Sequence, residues 1–513
     1  MLRSCILSAA LGSMVPAALP AGHAAETATS PERFCNPLPL PDYPVGRLAR
    51  DLAPGKPNEP AGLWLSERTE QYRELADPSG LWFEGKWYLY PSVDMAWVSA
   101  DEGRTWSHHP LNVRDLGYAP TVVRHRGRFL LMASDSDIYT GPTPLGPFTS
   151  IGKLTMPAIA GLPGQTDPML FSDDDGRLYY YWGCTPHSGL WGVELDPENP
   201  THLLGTPKEL IPFRPDVYSF EHVGSSNQNP NTGWMEGSWM IKHGGRYHLT
   251  YSAGGTQYRT YTMGAYVSDS PLGAFAPQQR NPIFRSTEGL ITGTGHGSIV
   301  RGPGDDLWVF YTVFACAAHG FERRVGFDRA EIDANGELFV PRATSTPQPL
   351  PRSGPEPVER ASGSANAEPW LALNESEACF ASSSAPNSGG RFAADNSMTT
   401  WWLPAADDAQ PTLTAHFNGR AVIHAARVIW HDVGLDTTSG KNPGPFRYRI
   451  EAETAPGVWS TIIDRGRSTE DFLIDYRECA PTPALRARLV VLGHPPGIKP
   501  AVAEFTLFGV TER

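Results

Sequence analysis

Three carboxylates and an imidazole occupy matching places in a repeated pattern of this chain, and that set of groups could hydrolyse a glycosidic bond. Asp77, Asp167, Glu236 and His296 each stand eight or nine residues before a turn glycine, namely Gly85, Gly176, Gly245 and Gly304. Ala119 holds the same place before Gly127, and each of the five is followed by Pro or Gly. Hydrolysis with inversion requires two carboxyl groups across the sugar. One, ionised, activates water; the other, protonated, gives its proton to the leaving oxygen, with about 6.5–9.5 Å between them to admit the water. A third carboxylate beside the acid raises its pKa by like-charge repulsion. Asp77, Asp167 and Glu236 supply the right number and type of groups, and residue type alone leaves their roles interchangeable.

These residues are far apart in the chain, so the fold must gather them. Five segments repeat a short apolar strand, a tight glycine turn and a second apolar-aromatic strand. They are LWFEGKWYLY from Leu81, VVRHRGRFLLM from Val122, LFSDDDGRLYYYW from Leu170, WMIKHGGRYHLTY from Trp239 and IVRGPGDDLWVFY from Ile299. Strand patterning dominates from about Tyr72 to Val340, with no sustained helical periodicity. The turn glycines are 42, 49, 69 and 59 residues apart, which suits four-stranded blades with loops of unequal length. The expected fold is all-β: a five-bladed β-propeller over residues 31–351 whose innermost strands bring the five positions to its axis. Pro, Ser, Gly, Ala and Glu dominate 352–368, the composition of a solvated linker. Residues 369–513 carry further short strands, among them AARVIWH and YRIEAET, that predict an antiparallel β-sandwich.

The formal charge of −13 argues against nucleic acid or an anionic membrane as partner. Neutral ligands fit better, and the 11% aromatic content leaves rings for stacking on sugars. Arg3, the apolar run Ile6 to Leu19 and small residues around Ala24 read as a leader over residues 1–25. No other run is long and apolar enough to span a bilayer. A secreted or periplasmic, monomeric protein is therefore expected. Five cysteines follow the leader: Cys35, Cys184, Cys316, Cys379 and Cys479. Cys379 and Cys479 bracket the second block and are the expected disulfide of an oxidising compartment.

Asp77-Pro78 before an aromatic hairpin, Thr166-Asp167-Pro168 before FSDDDGRLYYYWG, and Met235-Glu236-Gly237 before a Tyr-rich strand resemble glycoside hydrolase family 43. Gly295-His296-Gly297-Ser298 and FERRVGFDRAEID fit the same family, and the similarity covers about Asn36 to Pro347. The resemblance implies a five-bladed propeller that acts by inversion on arabinose-, xylose- or galactose-containing chains of plant cell walls. It implies Asp77 as general base, Asp167 as pKa modulator and positioner, and Glu236 as general acid. It also implies that His296 lies beneath the pocket, against substrate or a hydrated structural Ca2+ on the propeller axis. Removal of terminal α-L-arabinofuranosyl units is the leading expectation, with β-D-xylosyl next and β-galactosyl behind. The C-terminal block, from CFASSSAPNSGGRFAADNSMTTWW to beyond Cys479, resembles the discoidin, or coagulation-factor-type C, domain, a fold shared by a family of carbohydrate-binding modules.

Other features have plainer readings. Asp173, Asp174 and Asp175 precede Gly176 and are expected as a solvated turn rather than a cation cluster. Ser99 to Trp106 matches the Asp-box hairpin, here expected to be structural. Trp64, Trp97, Tyr118, Tyr258 and Tyr261 fall near predicted strand ends and could supply sugar-stacking rings. Tyr118 is the first choice because it adjoins Ala119. Arg324 could reach a substrate hydroxyl after the fifth repeat, or form a surface ion pair. Trp401 and Trp402 are expected in the core of the second domain. The competing view of the whole chain is a non-catalytic carbohydrate-binding lectin.

Overall fold

Alternation of apolar residues along short strands builds five antiparallel four-stranded sheets, each from one contiguous stretch of chain. Their innermost strands are Ala76–Phe83, Thr121–His125, Met169–Ser172, Glu236–His243 and Ser298–Arg301. Each inner strand contacts the next, and the fifth contacts the first, so the sheets close into a five-bladed propeller. The computed structural model describes residues 33–43, 73, 75–92, 94–113, 116–186, 188–214, 216–317, 320–351, 369–374, 379–436 and 443–511. The expected leader, the linker at 352–368 and Trp64 lie outside these residues.

The two-residue period of a strand decides which neighbour each side chain packs against. In the run Leu178–Trp182, Tyr179 and Tyr181 join Met240, Leu249 and Tyr251 of blade four. Tyr180 and Trp182 point the other way, to Leu130, Met132 and Leu170. The seam between blades five and one is the most aromatic. There Trp87 meets Phe310 and Phe327, each at 5.4 Å between ring centroids. Burying each such ring contributes about 1.5–3 kcal/mol, and ring closure lets every blade bury both faces. The ends of the propeller are tied by Arg33–Phe34 pairing with Gln348–Pro349.

The Ser99–Trp106 hairpin is structural, as expected. Asp101 accepts the Thr105 N–H at 2.9 Å and its hydroxyl at 2.6 Å, and Trp106 is buried. Asp173 departs from the expected solvated turn. It is buried, with Lys242 Nζ at 2.8 Å and the Tyr247 hydroxyl at 2.6 Å.

The second domain is one seven-stranded antiparallel sheet that curls about its own core. Two strands of 20 residues each, Thr412–His431 and Ile474–Gly493, run through it. Trp402 is fully buried, and Trp401 packs half-buried on His431, so both belong to packing. The expected disulfide is absent: Cys379 and Cys479 are free thiols. Register explains why. Cys379 lies opposite Ala415, whereas Glu478, the neighbour of Cys479, lies opposite Ala425 on the same strand. Some nine residues of strand separate them, roughly 30 Å at about 3.3 Å per residue, far beyond disulfide reach.

The curled sheet is packed directly on the propeller. Met398, Ile429, Ile474 and Ala503 share a core cluster with Phe284, Ile291 and Tyr311 of blades four and five. Arg73, fully buried, reaches Asp432 at 2.7 Å and Asp471 at 2.6 Å. Arg427, also buried, donates to the Asn36 and Ser345 carbonyls.

Candidate active site

At the entry to each inner strand one residue adopts the left-handed conformation. Its φ is 49° at Asp77, 53° at Ala119, 54° at Asp167, 63° at Gly237 and 41° at His296. For residues with a side chain this costs of order 1–3 kcal/mol each, and such strain marks functional positions. A hydroxyl from the second strand of the preceding blade holds four of these turns. Ser92 accepts the Ala119 N–H at 2.9 Å, Ser134 that of Asp167 at 3.0 Å, Ser252 that of His296 at 2.6 Å, and Thr312 that of Asp77 at 3.3 Å. In blade three Gly183 stands at this place, two residues beyond the pair Met169–Tyr181. The Gly237 N–H instead hydrogen-bonds the Asp167 carboxylate.

Blade four therefore breaks the repeat. Glu236 lies opposite Ser252 just as Ala76 lies opposite Ser92, so Glu236 matches Ala76, and Gly237 matches Asp77. The expectation of five equivalent positions is corrected: Glu236 stands one residue early. The nine-residue count to Asp167 has another cause: its turn, 174–176, has three residues with the glycine last, where blades one, two and four turn in two residues and the three-residue turn of blade five has Gly304 in the middle. Glycine is required at 237 because a Cβ there would come within 2.9 Å of the His296 ring.

The side chains converge on one mouth of the ring. His296 Nδ1 lies 3.2 Å from Asp77 Oδ1 and 3.8 Å from Asp167 Oδ2. Arg323 Nη1 donates to Asp77 Oδ1 at 3.0 Å and to Thr256 Oγ1 at 3.0 Å. Ser92 donates to Asp77 Oδ2 at 3.3 Å. Charge-assisted donation of this kind favours an anionic acceptor. Glu236 has a different setting: the Tyr261 hydroxyl donates to Oε1 at 2.5 Å, and the Cys184 thiol donates to Oε2 at 3.2 Å. Polar atoms of Asp167, Cys184 and Glu236 all lie within 4.8 Å of one another.

Burial sets the electrostatics. Asp77, Asp167 and Glu236 are each 6–7% exposed. Desolvation pushes Asp167 up to about 7, opposed by His296 and reinforced by Glu236 and Asp77. The same burial raises Glu236, against His296 and the Tyr261 hydrogen bond. Two buried carboxyl groups this close cannot both ionise cheaply, so the pair retains a proton toward neutral pH. One carboxylate gripped by a guanidinium beside a pair that holds a proton is an acid–base arrangement.

The other expected residues divide. Tyr118 is half-buried beside Ala119, with its carbonyl bound to Ser134 N–H, at the rim of the hub. Trp97 is a core residue rather than a sugar-stacking ring: it is fully buried, and its Nε1 donates to the Pro41 carbonyl at 2.8 Å. Arg324 is turned away from the hub, donating to Glu322 at 2.6 Å and to the Arg73 carbonyl at 2.8 Å. Its neighbour Arg323 reaches Asp77 instead. Strand parity carries that signal, since Val325 and Phe327 face the seam with blade one and Arg323 shares their side. Tyr261 is fully buried on Glu236, so it supports the carboxyl rather than stacking on sugar. Cys184 and Trp234 were not foreseen. His296 is at the hub, with Nδ1 facing two carboxylates. With Nδ1 taken up by the two carboxylates, only Nε2 is left to face the hydrated Ca2+ expected on the axis, an ion that otherwise takes oxygen ligands.

A cavity of about 400 Å³ opens elsewhere, among the far ends of the inner strands, lined by residues including Trp82, Arg124, Phe171 and Lys242. It contains none of the hub residues, and Lys242 there is neutralised by Asp173 and Asp174.

A closed five-bladed ring with a carboxylate–guanidinium pair and a proton-sharing carboxyl pair at its hub defines a propeller glycoside hydrolase. Comparison places it within that class. Residues 66–338 match the model for glycosyl hydrolases family 43, and the chain belongs to that family. It is 25% identical over 272 residues to the β-D-galactofuranosidase xynD of Aspergillus niger, covering 46% of this chain and 73% of that protein. It is 26% identical over 327 residues to a β-xylosidase of Xylanibacter ruminicola, covering 52% and 95%. A xylosidase/arabinosidase of Bacteroides ovatus is 25% identical over 329 residues, covering 52% and 94%. Family membership sets aside the lectin alternative.

Proposed function

We propose that this enzyme is an exported exo-glycosidase that removes single non-reducing-end sugars from plant cell-wall chains, α-L-arabinofuranosyl units first, with inversion. The carrying observation is the unequal treatment of the hub carboxyls. Asp77 is held by Arg323 and Ser92 as an anion, the state of a base that activates water. Glu236 is buried with Asp167, where the acid proton is retained. In this reading Asp77 draws the proton from the water as it attacks the anomeric carbon. Glu236 gives its proton to the departing oxygen and becomes the carboxylate, so charge builds on neither the attacking nor the leaving oxygen. Asp167 shares one proton with Glu236, because the two buried carboxyls cannot both ionise cheaply, and, through His296 between it and Asp77, fixes the spacing to Asp77. Tyr118 and Tyr258, both half-buried, are assigned here as the rings that flank the sugar. Relatives named as galactofuranosidase, xylosidase and arabinosidase support a pentose or furanose in the first pocket.

The test is product analysis on arabinan, arabinoxylan, xylan and galactan oligosaccharides. Free arabinose as the sole early product is expected. Release of oligosaccharides overturns exo action, and free xylose or galactose alone overturns the choice of sugar.

A further inference from the structure

Blade three departs from its sisters at one more point, and that departure faces the proton donor. Four blades carry Ser or Thr where the second strand leaves the hub: Ser92, Ser134, Ser252 and Thr312. Blade three has Gly183 there and Cys184 directly after it. Every one of the four hydroxyls holds a backbone N–H of the following blade. The thiol instead reaches the side chain of that blade, at Glu236 Oε2, 3.2 Å away. The two exceptions match: the acid stands one residue early in blade four, and the sulfur one residue late in blade three. The sulfur is itself held, since Trp234 Nε1 donates to Sγ at 3.2 Å.

We propose that Cys184 is a positioning residue for the general acid, part of a Trp234–Cys184–Glu236 chain that orients the carboxyl. The proposal rests on the reading of Glu236 as proton donor. With Tyr261 on Oε1 and the thiol on Oε2, the carboxyl plane is fixed from both ends. Rotation that would carry the acidic proton toward Asp167 is then opposed, and the proton stays aimed at the leaving oxygen. Burial and the Asp167 and Glu236 carboxyls raise the Cys184 pKa, so it remains a thiol and a donor throughout the working range. A thiol is a weak donor. It can orient the carboxyl without stabilising the anion as strongly as a hydroxyl would, which leaves Glu236 able to hold a proton. The other groups facing Glu236 are Asp77, Asp167, His296 and Tyr261, and they are unchanged in the variants below.

The experiment compares Cys184→Ser, Cys184→Ala and the parent enzyme on two substrates of the same sugar. One is an oligosaccharide, whose leaving group needs protonation; the other is a dinitrophenyl glycoside, whose leaving group does not. Loss of orientation in Cys184→Ala should lower kcat on the oligosaccharide about tenfold or more, with little change on the aryl glycoside. The alkaline limb of the pH profile should move to lower pH in Cys184→Ser, where a stronger donor favours the anion, and to higher pH in Cys184→Ala. Equal losses on both substrates with unmoved limbs would show a packing role and overturn the proposal. Should Cys184→Ala fail to fold, the near-isosteric Cys184→Ser still reads the limb, and no shift there overturns the proposal equally. Glu236→Gln serves as control. If it spares the oligosaccharide reaction, the acid assignment falls; if it abolishes that reaction while both Cys184 variants behave as parent, only the role of Cys184 falls.

Discussion

At the scale of single residues the hub is governed by desolvation. Asp167 accepts the Gly237 N–H and faces His296, yet burial outweighs both and lifts its carboxyl to about 7. A carboxyl whose folded pKa exceeds its unfolded value favours the folded state below the unfolded pKa, near 4, and loses that contribution as pH rises through 7. Asp167→Asn, which cannot ionise, should therefore match the parent in Tm near pH 4. Above pH 7.5 it should exceed the parent by about 2 °C or more. Thermal unfolding at the two pH values checks this, and an equal difference at both contradicts the desolvation account. The carboxylates themselves were legible because acidic residues before Pro or Gly recur in phase. Their partners were less so. Arg323 and Arg324 are adjacent and identical in type, and only strand parity separates the one on Asp77 from the one on Glu322. Trp97 misled because an aromatic at a strand end looks the same whether it faces sugar or the Pro41 carbonyl.

Among elements, the hub turns decide the geometry. At the entry to each of the five inner strands one residue is left-handed, and four of these are latched by a hydroxyl from the preceding blade, so Asp77, Asp167 and His296 are aimed by backbone rather than by packing. Gly237 is the weak point of this scheme and has no substitute. Alanine there meets both a φ of +63° and the His296 ring at 2.9 Å. Gly237→Ala should destabilise the protein by about 1–3 kcal/mol and lower kcat about tenfold or more, because His296 spaces Asp77 from Asp167. Near-parent kcat and Tm would show that the hub tolerates displacement. The repeat of turn glycines was readable in the sequence, as was the alternation that sends Tyr180 and Tyr181 to opposite blades. The one-residue offset of Glu236 was not, since counting from Gly245 cannot distinguish position 236 from 237. The hydroxyls at Ser92, Ser134, Ser252 and Thr312, with Gly183 as the exception, were a periodic signal that could have exposed it.

For the whole molecule, two β units act as one body within the described residues. Asp432 and Asp471 of the curled sheet close on Arg73, four residues before Asp77, and the Arg73 carbonyl accepts from Arg324 beside Arg323. A buried cation shared by two carboxylates adds little net stability, but losing any partner is costly, so the sheet braces the strand that carries Asp77. Sequence showed two β-rich blocks; it could not show this clamp, because Arg73 lies 359 residues from Asp432 and 398 from Asp471 in the chain. The misplaced disulfide has the same origin: bracketing a domain says nothing about register. The closed ring sets Asp77 and Glu236 on different blades, and the proposed function requires a water between them on one face of the sugar. Proton NMR of the anomer formed in the first turnovers tests this most directly. The account predicts that the released sugar appears first with configuration opposite to that of the bond broken, then mutarotates. First product with retained configuration would mean that a hub carboxylate attacks the sugar itself, and would contradict the account.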